Sequence, residues 1–346
     1  MALLNYLPYD KAFFEENLHP YLPKRFIDCH THIWKDAFCT FRDENHRSCD
    51  WPGMVAKDNT IEDLLETNRE LFPGHEVVCV LYSHTNVTVD LSKANPYVAE
   101  SAAKTGFPAL YVAHPSQSAE EVERDVLANP EFKGLKVYLE YAPSYIPNQE
   151  IRIYDFLTPE HLALANRHHW IVQLHIPRPG RLADPVNYVQ MLEIEQKYPD
   201  LQLLIAHLGR AYADEDVGKG LDYLKAMEKT VWDFTANTNQ HVMERVLEQF
   251  GPERFIYGSD FPIFRMKARR TVENGFYINE IPAGSLGDVS ADRHMREIAL
   301  PEAGRITFFI YEEMASAIRA CHRLGLGQAD IDKIFWSNSA SIFGVK

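Results

Sequence analysis

Eight short apolar runs punctuate this chain, and most are separated by longer stretches with helical periodicity, an alternation few architectures accept. The runs are Arg25–Cys29, Glu76–Ser83, Pro108–Ala113, Gly134–Tyr138, Trp170–Leu174, Leu201–Ala206, Val231–Thr235 and Arg254–Gly258. Some, such as VVCVL and LQLLIA, are apolar throughout, as expected of strands covered on both faces. Helices are expected at Ser118–Ala128, Pro159–His168, Pro185–Tyr198 and Gln240–Phe250. The first opens Ser-Ala-Glu-Glu, a capping serine followed by acids that suit a helix N-terminus. Eight strands alternating with helices predict an α/β fold of the (β/α)8, or TIM-barrel, type, and 346 residues suffice for one. A doubly wound open sheet is the alternative. It usually carries a glycine-rich loop after the first strand, where this chain has Cys29-His30-Thr31-His32.

The pattern is read as a single domain over 1–346, with an N-terminal extension at 1–24 and closing helices at 305–346. Two long βα loops exceed a minimal barrel, Trp34–Asn59 after strand 1 and Phe264–Pro301 after strand 8. Both leave the C-terminal face, where barrel active sites are built, so functional roles are expected of them. The second, an insertion or lid at 264–301 with Phe276, Tyr277 and Ile281, either folds over its own site or packs on a neighbouring subunit in a homodimer.

A formal net charge of −14 disfavours non-specific binding to nucleic acid or anionic membrane. No apolar run approaches the ~20 residues that span a bilayer, and the N-terminus lacks a secretory pattern. The five cysteines (Cys29, Cys39, Cys49, Cys79, Cys321) are odd in number and without CxxC spacing, so a reducing, cytoplasmic location is expected.

His30 and His32 end the first strand as an HxH pair, and residues two apart on a strand face the same side. At a barrel mouth that side is the axis, and two neutral imidazoles aimed together suit a metal ion. An isolated HxH fits core packing equally well. Here His175 ends strand 5, His207 ends strand 6, and Asp260 follows strand 8 in YGSDFP. Five such groups at strand C-termini point to one centre. By the same alternation Cys29 turns away from the axis, into the core.

With these motifs (FIDCHTHIW, GLKVY, QLHIP, AHLGR, YGSDFP) the chain resembles the amidohydrolase superfamily, in its amidohydrolase-related group, over nearly its whole length. The resemblance implies one divalent metal ion held by His30, His32, His175 and Asp260, with zinc expected and manganese its competitor. It gives Asp260 and His207 catalytic roles: Asp260 accepts a proton, and His207 polarises the substrate carbonyl, shuttles a proton or serves as a second ligand. Some members use a carbamylated lysine on strand 4 to bridge two metals, and Lys136 stands there. In others a similar lysine orders the site or meets substrate anions.

Arg178 and Arg181 follow His175, Arg210 follows His207, and Arg265 lies in the basic stretch Arg265-Met-Lys267-Ala-Arg269-Arg270 after Asp260. With Lys136 they are the candidate contacts to a small anionic substrate, since guanidinium suits a carboxylate. The expected reaction is metal-assisted hydrolysis of a lactone, ester or amide, with a sugar-acid or dicarboxylic lactone as the favoured class. Decarboxylation of an aromatic or muconate-like acid uses the same ligands and stands as the alternative. A barrel that binds without catalysing is the third reading.

Overall fold

The computed structural model describes residues 4–40 and 51–346. Eight parallel strands run in chain order: β1 (Arg25–His32), β2 (Glu76–Tyr82), β3 (Ala109–Val112), β4 (Phe132–Val137), β5 (Ile171–Leu174), β6 (Gln202–Ile205), β7 (Val231–Asp233) and β8 (Phe255–Ile256). Cys29 N–H donates to the Tyr257 carbonyl at 3.0 Å, and Thr31 bridges Phe261, which brings β8 back to β1. The result is the expected TIM barrel. Every residue of β3 and β5 is buried, the consequence of helices outside and a packed interior within.

The helices begin where the sequence offers caps. Ser118 accepts from Glu121 N–H before Ala119–Leu127, Asp184 from Val186 N–H before Pro185–Lys197, and Asn239 from Val242 N–H before Gln240–Phe250. β1 extends past Cys29, so His30 and His32 lie within the strand, and its register against β2 shifts between Asp28 and Thr31.

Residues after Asp260 form a small sheet rather than an irregular loop: β9 (Arg269–Glu273), β10 (Phe276–Pro282) and β11 (Met295–Ile298). β9 and β10 pair antiparallel across Asn274-Gly275, both at positive φ (52° and 75°), the conformation that Asn-Gly favours in tight hairpins. The sheet buries Tyr277, Ile281 and Met295 in a second apolar cluster with Trp51, Tyr212, Phe264 and Phe309. The insertion thus folds over the barrel mouth of its own chain. Of the loop after β1, residues 41–50 lie outside the described residues, as does Cys49. Trp51–Val55 is a short helix beside the insertion.

Lys267, in the basic stretch, is buried and salt-bridged at 2.6 Å to Asp10 of the N-terminal helix Pro8–Asn17. Asp10 also accepts from the Thr307 hydroxyl at 2.8 Å, so the extension is fastened to the far end of the chain. The closing segment contains the helix Phe309–Arg323, packed on Gln240–Phe250, and three further helical turns to Phe343. No helix among the described residues is long and apolar enough to cross a membrane.

Candidate metal centre and substrate cavity

A cavity of about 740 Å³ opens at the C-terminal ends of the strands. His30, His32, His175, His207, Asp260 and Lys136 all line it. Ligand atoms of His30, His207 and Asp260 lie within 4.8 Å of one another, while His32 Nε2 is 3.2 Å from Asp260 Oδ1.

What fixes the rings decides what they can do. His32 Nδ1 faces the Ser83 carbonyl at 3.0 Å and His207 Nδ1 the Thr235 carbonyl at 3.1 Å. A carbonyl can only accept, so each Nδ1 carries the proton. His30 Nδ1 lies 3.1 Å from the buried Asp233 carboxylate, which likewise requires a proton on Nδ1. In the neutral rings, every Nε2 is then a bare lone pair. Burial, with the charge of Lys136, drives the His30 pKa down to about 3, and burial also lowers His207 and His175. Nε2 of His30 therefore faces Asp260 Oδ1 at 3.4 Å as one acceptor against another.

A cation relieves such a juxtaposition. The donor set of imidazole nitrogens and a carboxylate oxygen suits zinc or manganese. His175 Nδ1 adds a buried atom with no hydrogen-bond partner among the described residues. Lys136 Nζ meets His30 Nε2 at 3.2 Å and sits over the Tyr82 ring at 4.8 Å; burial lowers its pKa to about 8. The residues fit a divalent cation, with His30, His207 and Asp260 closest together and His32 and His175 beside them.

Asp233 at the end of β7 was not foreseen from the sequence. It accepts from His30 Nδ1, from Gln173 Nε2 at 3.1 Å and, through its other oxygen, from His207 N–H at 2.7 Å. Burial opposes its charge, but the imidazoles of His30 and His207 outweigh that and hold the carboxyl below its usual range. The available signal was position, since Asp233 in VWDF is another polar residue at a strand C-terminus.

The arginines divide. Arg181 and Arg210 line the cavity. Arg178 is not among the lining residues: its guanidinium donates to the Ile151 and Glu150 carbonyls at 3.0 and 3.1 Å. Arg265 is absent from the lining too and reaches the Val55 carbonyl at 3.4 Å. Both brace loops, as a five-donor group does when carbonyls surround it. Trp34 and Tyr138 line the cavity and Tyr145 is exposed elsewhere; Tyr277 and Arg270 of the insertion line it too, and Trp51, Tyr212 and His294 join them unforeseen.

Solved structures share the fold at low sequence identity. A candidate 2-pyrone-4,6-dicarboxylic acid hydrolase from Pseudomonas putida superposes with a TM-score of 0.55 at 14% identity, over 94% of this chain and 99% of its own. A dihydroxybenzoic acid decarboxylase from Polaromonas sp., with bound manganese and the inhibitor 2-nitroresorcinol, gives 0.54 at 14%, over 93% and 98%. Amidohydrolase 2 from Bifidobacterium longum subsp. infantis gives 0.54 at 15%, over 94% and 100%. No curated protein matches the sequence. The profile of the amidohydrolase family (Amidohydro_2) matches residues 27–345, and the chain belongs to that family.

Proposed function

We propose that this enzyme of the metal-dependent amidohydrolase family hydrolyses a lactone, ester or amide of a small carboxylate-bearing substrate, a sugar-acid or dicarboxylic lactone being the favoured class. The convergence of imidazole nitrogens on Asp260 carries the reading. A divalent cation held there would supply Lewis acidity, acidifying water and polarising a carbonyl. Asp260, kept ionised, accepts the proton as water adds to the carbonyl. His207, with Nδ1 committed to Thr235, offers Nε2 as an acceptor, so it acts as a ligand or takes up a proton rather than donating one at the outset. Asp233 holds the His30 ring and the His207 backbone in place. Arg210, at the mouth, donates through Nη1 to the Ile176 and Pro177 carbonyls and presents the rest of its guanidinium to a substrate carboxylate.

Decarboxylation of an aromatic or muconate-like acid is the second reading. The aromatic lining of Trp34, Trp51, Tyr138, Tyr212 and Tyr277 favours it, as do the decarboxylases that share the fold. Elemental analysis comes first: about one metal atom per chain is expected, zinc or manganese. Two would support carbamylation of Lys136 as a bridge, and none, unrestored by either metal, would overturn the proposal. With metal bound, ring opening of acidic lactones without carbon dioxide release supports hydrolysis; the converse supports the second reading.

A further inference from the structure

The candidate metal donors stand in the barrel strands or just past their ends, whereas much of the remaining cavity wall comes from the insertion. There two guanidiniums share two tyrosine rings. Arg270 Cζ stands 4.7 Å from the Tyr212 centroid and 4.5 Å from that of Tyr277; Arg181 Cζ stands 5.0 and 5.1 Å from the same pair. The tyrosines meet edge to face at 5.0 Å. Phe309 adds a third ring at 4.7 Å from Arg270.

The two cations are not equally compensated. Arg181 pairs with Asp216 through Nη1, while its Nε is buried without an acceptor among the described residues. Arg270 donates through Nε to the Asn279 side-chain oxygen at 2.8 Å and through Nη1 to the Ala236 carbonyl, and it forms no ion pair with any described residue. Glu313 is the acid that acts on it. Burial raises that carboxyl well above its usual range, and Oε2 is already committed to Ala236 N–H. Asp292, another acid of this wall, has its oxygens on the Trp51 indole at 2.6 Å and on His294 N–H at 2.8 Å.

A guanidinium kept from solvent without a carboxylate is costly, and rings beside it return only part of that cost. Arg181, though paired with Asp216, adds a second positive charge beside the same rings, which raises the cost of Arg270 further. An entering anion supplies the missing charge, and the fixed Nε and Nη1 of Arg270 leave its Nη2 for that purpose. We propose that Arg270, with Arg181, forms a second anion seat on the insertion wall, so that the substrate is a dianion whose second carboxylate lies away from the reacting carbonyl. This deepens the functional reading above and rests on it for the identity of the reaction alone.

Calorimetric binding to the full-length protein as purified, its metal content recorded, tests the seat without turnover. The probes are dicarboxylates of graded spacing, malonate to adipate and isophthalate, each against its monocarboxylate counterpart. At least one dicarboxylate is expected to bind about tenfold more tightly than its partner, the difference made by one charge-assisted contact. In R270Q that ratio falls to about one, while metal content and monocarboxylate affinity stay unchanged. R270K, which keeps the charge and loses the planar fork, retains part of the preference and serves if R270Q fails to fold. Absence of any dicarboxylate preference, or its full persistence in either variant, overturns the proposal. A protein with that preference but without metal or turnover would instead overturn the functional reading and leave the seat standing.

Discussion

At the scale of single residues, orientation of the ligands governs the centre. Asp233 touches both the ring of His30 and the backbone of His207. Substitution D233N keeps the shape but removes the charge that orders the Nδ1 proton. Chelator competition should show metal affinity reduced ~10–100-fold, the usual loss when a group behind the ligands is altered; unchanged affinity would show that His30 is fixed by other means. Protons give a second expectation. His30, His175, His207 and His161, together with the partly buried His75, His114 and His294, all have pKa values lowered by burial. An unfolded chain protonates them near ~6.5 and the native one does not. Their contribution to stability is therefore complete above ~6.5 and declines as pH falls below it. Asp28, raised to about 7, and Glu312 and Glu313, also raised by burial, work in the opposite sense but are fewer. The denaturant midpoint of metal-free protein should be lower at pH 5 than at pH 7.5. That the histidines and Asp260 meet at one cavity was legible because each closes an apolar strand; the loop carbonyls that Arg178 and Arg265 brace were not, because no spacing reveals which carbonyls a long side chain will meet.

Strands and turns were read with ends one to three residues off, since apolar runs mark what is buried and the hydrogen-bond ladder need not stop there. β8, expected over five residues, pairs over two, because Gly258 must bring the backbone against β1. A Cβ at Gly258 would stand 2.4 Å from Thr235 Oγ1, 2.6 Å from His30 Cβ and 3.2 Å from Cys29 Sγ. G258A should lower stability by ~1–3 kcal/mol, as overpacking does. It should also reduce bound metal, because the displaced atoms include His30; thermal melts with metal analysis of the same sample would show both. The insertion was legible in place but not in form. Asn274-Gly275 was the hairpin signal, hidden because the run before it, Arg269–Glu273, is mostly charged and polar instead of alternately apolar.

Across the whole molecule the contact least readable from sequence joins the N-terminal helix to the segment between β8 and β9. Asp10 and Lys267 stand 257 positions apart, and each looks like an ordinary surface charge until both are buried. D10A would leave Lys267 unpaired in the interior, and equilibrium unfolding should reveal a loss of ~3–5 kcal/mol. A loss below ~1 kcal/mol would place the pair among screened surface contacts. The barrel itself was the most legible feature, because eight alternations admit few other topologies.

The paired wall of β9 and β10 has one further consequence. It begins after Asp260 and is complete before the helix Phe309–Arg323, so it is a detachable cassette in evolutionary terms. If the proposed anion seat holds, drift or exchange within 269–298 would retune which acid is admitted without disturbing the side chains supplied by the strands. Relatives of this chain should therefore diverge in diet sooner than in chemistry.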